Sequence, residues 1–353
     1  MAYTEIDDPS AYFQTALYSG NAGTQSITND GNSDLQPDWV WIKQRSGTQN
    51  HNLQDSVRGS TKILKSNKTA DETTDANGVT SFNTDGFSIG TRTDINQSGT
   101  YAAWQWKANG SGSANTAGSI NTTATSANTT AGFSISTYSG NNTSGATIGH
   151  GLGVKPNVII IKLRSGNGGY WITYHDKVSS APETDYVALN STDAVADSNV
   201  FWNDTAPTST LITLGNDGWV NGSSTTHVCY AFAEKTGYSK FGSYKGNGNA
   251  NGTFIYLGFK PALVILKGAS GSGSTENWSM YDNKRTGFNV DNNVLYPNAN
   301  SAEGTSDDID LLSNGFKIRR ATGLLNDTAV TYIYMAFAES PLVASNFNPT
   351  TAR

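Results

Sequence analysis

A Pro-led apolar phrase occurs three times along the chain, and this recurrence constrains the fold more than any other feature. It reads Pro37-Asp38-Trp39-Val40-Trp41-Ile42-Lys43, then Lys155-Pro156-Asn157-Val158-Ile159-Ile160-Ile161-Lys162, then Lys260-Pro261-Ala262-Leu263-Val264-Ile265-Leu266-Lys267. Other landmarks recur around it in a fixed order. An aromatic turn comes before it: Tyr18-Ser19-Gly20-Asn21, Tyr138-Ser139-Gly140-Asn141 and Tyr244-Lys245-Gly246-Asn247. A short element ending in Asp follows, from His51 to Asp55, Trp171 to Asp176 and Trp278 to Asp282. Next is a Gly-aromatic step, at Asp85-Gly86-Phe87, Asp217-Gly218-Trp219 and Asn314-Gly315-Phe316. Each copy closes on an aromatic strand, Thr100 to Trp106, Thr226 to Phe232 and Thr331 to Phe337. A period of roughly a hundred residues is too long for a solenoid repeat and suits one small domain.

The apolar stretches are short, rich in Val, Ile, Tyr, Phe and Trp, and bounded by Gly, Asn and Asp, which predicts strands and turns. Proline stands at the start of each Pro-led strand, where its missing N–H costs little of the ladder. The expected fold is all-β, with three tandem related β-sandwich domains, jelly-roll or concanavalin-like, of about 105 residues each. The expected organisation is a docking arm over 1–12, repeat 1 over 13–108, a Gly/Ser/Thr/Asn-rich linker over 109–131, repeat 2 over 132–237, repeat 3 over 238–343 and a tail over 344–353 that also docks. A linker of this composition buries little and reads as flexible, which predicts a loosely attached first domain and a rigid second–third pair. Trp39, Trp41, Val158, Ile160, Val264, Leu266, Phe232 and Phe337 are the expected core of the repeat strands. Val158 to Ile161 and Leu263 to Leu266 do not alternate with polar residues. A strand apolar on both sides is covered on both faces. One face is therefore expected to fill a sandwich and the other to meet a sister domain or another subunit.

Only 15% of the residues are charged, and the net charge of -6 with a pI near 5.2 argues against a phosphate-binding surface, hence no nucleic-acid partner. Cys229 is the single cysteine, so no intrachain disulfide forms; its counterparts are Ala103 and Tyr334, which predicts a buried structural thiol. His227 takes the place of Tyr101 and Tyr332 and reads as a strand-filling ring. His175-Asp176 resembles an oriented base, but the Asp recurs as Asp55 and Asp282 without a neighbouring His, which favours turn hydrogen bonding. Asp307, Asp308 and Asp310 read as a solvated turn, since they lack the glycine-turned spacing of a calcium loop. Gly268 to Gly273 lacks the Lys-Ser/Thr ending of a phosphate loop. No catalytic, cofactor-binding or metal-binding residue is assigned and no cofactor is expected; the chain is read as a non-enzyme. Met1 to Pro9 carries no apolar signal core, and no run reaches the length of a membrane span, so neither secretion by a leader nor membrane insertion is expected. Tyr170, Trp171 and Trp202 lie near expected loop ends, where amphipathic rings can stack on a sugar; packing against the adjacent domain is favoured over that role.

Three stretches resemble structural proteins of marine and cyanobacterial tailed phages. They are the opening Met1 to Thr15, the strand Gln36 to Lys43 and the ending Tyr332 to Glu339. The resemblance covers nearly the whole chain and rests on strand phrases, so it transfers no site residues. It implies a component of the virion surface, made in the host cytoplasm: a tail fibre or adhesin contributing to host attachment, or alternatively a capsid decoration protein. A glycan-binding or glycan-cleaving β-sandwich protein is the competing reading. The implied partners are other virion proteins, further copies of the chain with a trimer favoured, and a host surface glycan.

Overall fold

The computed structural model describes residues 4–271, 275–285, 289, 291–321, 323–346 and 348–349, and of 306–308 the backbone alone. Each copy of the repeat builds a main antiparallel sheet with one strand order. In the first, the opening strand Phe13–Gly20 pairs with the closing strand Gly99–Trp106, which pairs with the Pro-led strand Trp39–Gln44, followed by Asn52–Asp55 and Gly59–Leu64. The second runs Phe133–Ser139, Thr226–Phe232, Val158–Ser165, Trp171–His175 and Asp185–Ala188 in the same positions. The third runs Ser239–Lys245, Thr331–Pro341, Phe259–Ser270 and Ser279–Asp282. The closing strand thus lies between the opening and Pro-led strands each time.

A smaller sheet covers one face of each main sheet. It is formed by Gln25–Ile27, Phe87–Ile89 and Val79–Phe82 in the first unit, and by Ala146–Gly149 with Leu211–Leu214 in the second. In the third it comprises Phe254–Tyr256, Gly315–Ile318, Gly304–Leu312 and Asp291–Val294. The architecture is all-β and sandwich-like. Alternate side chains of a strand point to opposite faces, and this divides the apolar runs between two destinations. Val40, Ile42, Tyr101 and Ala103 meet Ile27 and Phe87; Ile159, Ile161 and Cys229 meet Ile148 and Ile212; Val264, Leu266, Tyr332 and Tyr334 meet Ile255 and Phe316. The other parity, including Trp39, Trp41, Trp104, Trp106, Val158, Ile160, Tyr230, Phe232, Leu263, Ile265, Met335 and Phe337, converges on a single core shared by all three units.

Both faces of the Pro-led strands are therefore covered, as their unbroken apolar runs require. Trp106, Phe232 and Phe337 hold equivalent strand positions and meet near the centre, with Phe337 5.6 Å from Trp106 and 5.8 Å from Phe232 by ring centroids. The three units close around a pseudo-threefold axis and do not hang in series. Of the expected core residues, Trp39, Trp41, Val158, Ile160, Phe232 and Phe337 fill the shared core, whereas Val264 and Leu266 fill the third sandwich; Leu263 and Ile265 are the counterparts of Val158 and Ile160.

The stretch over 109–131, expected to be a flexible linker, is instead built into the second unit. Ala124–Asn128 pairs with Phe133–Ser139, Ile120 bridges to Ile148 and is buried in the second sandwich, and Thr122 and Ser126 are buried. The first unit packs against the other two through the shared core. The described part of the expected arm is also folded in: Ile6 enters the shared core, and Glu5 donates its N–H to the Thr236 carbonyl at 3.0 Å. Ser345 of the tail donates its N–H to Asp7 of the arm at 2.7 Å.

Candidate functional site

The recurring aromatic turn forms a clamp. Tyr18, Tyr138 and Tyr244 stack on Tyr101, His227 and Tyr332, with centroids 5.0, 5.0 and 5.1 Å apart. Their hydroxyls donate to the carbonyls of Ile95, Val220 and Leu325 at 2.7, 2.6 and 2.8 Å. The next residue is each time a fully buried asparagine, Asn96, Asn221 or Asn326. Its side-chain oxygen accepts the N–H of Asn21, Asn141 or Asn247 at 3.0, 2.9 and 2.9 Å, while its amide donates to the carbonyl of Gly90, Gly215 or Arg320 at 2.7, 2.8 and 2.7 Å. Gly20, Gly140 and Gly246 lie so close to the carbonyls of Gln97, Gly222 and Asp327 that a Cβ has no room. The asparagines escape a reading of the sequence by its aromatic landmarks; the pairs Ile95-Asn96, Val220-Asn221 and Leu325-Asn326 are the signal. Asp217-Gly218-Trp219 is not the counterpart of the other Gly-aromatic steps. Asp217 caps the short helix Gly218–Asn221 by accepting the Trp219 N–H at 2.7 Å, and that helix corresponds to Thr93–Asn96.

Two contacts repeat at each of the three seams between units, always in the same rotational sense. Trp171 Nε1 donates to the Lys65 carbonyl and Trp278 Nε1 to the Ala188 carbonyl, both at 3.0 Å, and His51 Nε2 lies 3.0 Å from the Tyr296 carbonyl. His51 Nδ1 accepts from Trp41 Nε1 at 2.8 Å, so Nε2 carries the proton. The backbone N–H of Glu72 donates to Arg164, that of Glu303 to Arg45 and that of Val195 to Ala269, at 2.9, 2.8 and 2.8 Å.

Around these fixed contacts the side chains come in matched sets. At the seam of the first and second units, Arg58 pairs with Asp55 and lies 2.9 Å from Glu72; Arg164 grips Glu72 through two nitrogens at 2.9 Å, and the Tyr230 hydroxyl donates to Asp55 at 2.7 Å. The seam of the third and first units repeats this with Arg285, Asp282, Glu303 and Arg45, and with Trp104 Nε1 donating to Asp282 at 3.0 Å. At the remaining seam the five equivalent positions hold Val178, His175, Val195, Ala269 and Met335. The His175 counterpart of Asp55 and Asp282 is fixed by register, since Val158 faces His175 as Trp39 faces Asp55 and Leu263 faces Asp282. Asp176, expected to be that counterpart, lies one place further on and accepts from Asn157 at 2.8 Å.

The exchange is coherent. A buried ion with one partner removed is strongly destabilising, whereas replacing a whole buried group by packed apolar residues costs little. Where Met335 offers no donor, the carboxylate, both arginines and the glutamate are all absent. Burial opposes the charge of Arg58, but Asp55, Tyr230 and Glu72 together outweigh it and hold the guanidinium protonated. Burial likewise raises the Glu72 pKa, and its two arginines more than reverse that. Burial pulls His175 down to about 4, so it is neutral at pH 7; its Nε2 donates to the Tyr334 carbonyl at 3.1 Å.

Lys43, Lys162 and Lys267 follow the apolar runs of the Pro-led strands at equivalent, fully buried positions. Burial lowers each ammonium to about 8. Lys162 donates to the Thr69 carbonyl of the first unit at 2.8 Å, and Lys267 to the Thr192 carbonyl of the second at 3.0 Å.

The expected sugar-stacking rings fall elsewhere. Trp171 is fully buried at a seam, and Trp202 is buried edge-on against Tyr174, 5.9 Å between centroids, so neither presents a ring face. Tyr170 is half-buried against Trp219 at 4.8 Å. Cys229 is buried in the second sandwich, where burial pushes its thiol pKa up. The side chains of Asp307 and Asp308 lie outside the described residues; Asp310 pairs with Arg319 at 3.4 Å.

A family model for a domain of unknown function (DUF7483) matches residues 8–341, and the chain belongs to that family. No curated protein and no solved structure matches the chain.

Proposed function

We propose that this member of the DUF7483 family is a non-enzymatic structural protein of a phage virion, exposed on the particle surface and contributing to host attachment as part of a tail fibre or adhesin. The observation that carries this reading is the closure of three units into one block. The Arg58 and Arg285 ion sets, and the buried Lys162 and Lys267, are occupied in fastening one unit to the next. Such a block keeps its shape outside a cell, and its surface loops vary independently of the shared core. A single chain with threefold pseudo-symmetry also matches a threefold partner, such as the end of a trimeric fibre.

Immunogold labelling of gradient-purified particles, with mass spectrometry of the same fraction, tests the reading. Label at the tail supports it. Label on the head favours the decoration protein, and absence from particles overturns both.

A further inference from the structure

The small sheet of the third unit departs from its two counterparts at one pair of positions. Ile27 faces Phe87, Ile148 faces Ile212 and Ile255 faces Phe316, all buried and in register. The neighbouring outward pair is Ser26 and Ser88 in the first unit, hydroxyls 2.9 Å apart, and Thr147 and Thr213 in the second. In the third it is Phe254 and Lys317. Two residues further along the same face stands Tyr256, opposite Gly315, the bare position across which the Phe254 ring lies. Phe254 and Tyr256 are 43% and 54% exposed and occupy an edge strand, so both rings are presented to solvent.

Lys240, Lys317 and Arg319 stand around these rings although the chain carries a net charge of -6, against the carboxylates of Asp310, which lies opposite Lys317 and pairs with Arg319 at 3.4 Å, and of Glu234 near Lys240. Lys240 Nζ sits 5.6 Å from the Tyr256 centroid and donates to the Tyr256 carbonyl at 3.0 Å, which steadies the ring. Lys317 Nζ donates to Asn251 Oδ1 at 2.5 Å. An ammonium carries three donors, so each lysine keeps donors beyond the single carbonyl or amide oxygen it is bonded to. Beside Tyr256 and Lys240 opens a cavity of about 300 Å³, lined also by Glu234, Ser239 and Gly258, at the lower end of the size that holds a small ligand.

We propose that this face binds an anionic polysaccharide, with sugar rings stacked on Tyr256 and Phe254, the sugar acid groups held by Lys240 and Lys317, and one residue of the chain seated in the adjoining cavity. The scaffold has hydroxyl pairs at the two other equivalent places, so the aromatic-lysine set is an addition that folding does not require. The inference rests on the host-attachment reading and names its ligand class.

The test uses the full chain and three probes: alginate for carboxylated sugars, dextran sulfate for sulfated ones and dextran as the neutral control, with affinity measured by titration calorimetry. The expected result is binding to at least one anionic probe, weakened by added salt, with dextran binding at least tenfold more weakly. Tyr256→Ala and Lys317→Ser each weaken binding by on the order of tenfold, while Ser26→Ala leaves it unchanged. Unaltered melting temperatures exclude misfolding. Equal binding by Tyr256→Ala and the parent, no binding to either anionic probe, or equal binding to dextran overturns the proposal. Sedimentation showing self-association that Phe254→Ser abolishes also overturns it, by assigning the face to a second copy. A protein that is present in particles but binds neither anion sinks only this inference. One that binds but is absent from particles sinks only the virion reading.

Discussion

The indole of Trp104 in the first unit donates to the Asp282 carboxylate of the third at 3.0 Å, just as the Tyr230 hydroxyl of the second donates to Asp55 of the first at 2.7 Å. Met335 occupies the third such place, with His175 bonded to the adjacent Tyr334 carbonyl at 3.1 Å and Val178 where an arginine would stand. One donor position thus predicts the chemistry of four others, which makes the seams interchangeable as sets and not residue by residue.

Glu72→Val alone leaves Arg164 without its carboxylate at the seam and Arg58 with Asp55 as its one remaining carboxylate, and is expected to cost about 3–5 kcal/mol. Transplanting the whole apolar set, D55H/R58V/E72V/R164A/Y230M, is expected to recover most of that loss. Denaturant titration of both variants checks it; a combined variant less stable than E72V contradicts the set.

Acid sensitivity is expected to begin with histidine. Burial lowers His51, His175 and His227 from 6.5 to about 3, 4 and 4. A folded pKa below the unfolded value means the folded state binds fewer protons. The associated stability is complete above about pH 6.5 and falls as the pH drops towards 4, by about 1.4 kcal/mol per pH unit for each histidine. Glu72, whose pKa is lowered, keeps its full stabilising contribution above its ordinary value near 4.5 and loses it only as the pH falls below that. His227→Tyr, which installs the ring of the other two units, is therefore expected to flatten the melting-temperature profile between pH 6.5 and 4.5. An unchanged slope contradicts this.

Asn221→Ala removes one accepted and two donated hydrogen bonds and leaves the Asn141 N–H and the Gly215 carbonyl without that partner. A loss of about 2–4 kcal/mol is expected, with faster hydrogen exchange at Asn141. Exchange at Asn141 as slow as in the parent contradicts the clamp.

Adjacent isoleucines are expected to report on different cores. Ile160→Ala enlarges the central void of about 10 Å³ bordered by Trp39, Trp41, Trp106 and Trp278, while Ile159→Ala opens only the second sandwich. Both are expected to cost about 2–5 kcal/mol. Only Ile160→Ala is expected to change the emission of the central tryptophans; identical spectra contradict the division.

Much of this was legible in the residues. The repeat, the strands and the two-sided burial of the Pro-led runs follow from spacing and alternation. What covers the second side does not, because an apolar face states that it is buried but not by which neighbour. The strand Ala124–Asn128 was hidden because an edge strand is held by its backbone ladder and can be polar on both faces. His175, and not Asp176, is the counterpart of Asp55 because Val158 faces it in the ladder, and residue type alone does not carry that register. Trp171 and Trp202 sit near strand and helix ends, as read, but those ends are a seam and a sandwich interior.

Coupling between Arg45 and Glu303, 258 residues apart in the first and third copies of the repeat, tests the closed arrangement most directly. A double-mutant cycle of Arg45→Gln and Glu303→Gln, followed by denaturant unfolding, is expected to give an interaction energy of about 1–3 kcal/mol. Additive effects, with coupling indistinguishable from zero, would contradict closure of the units around a common axis.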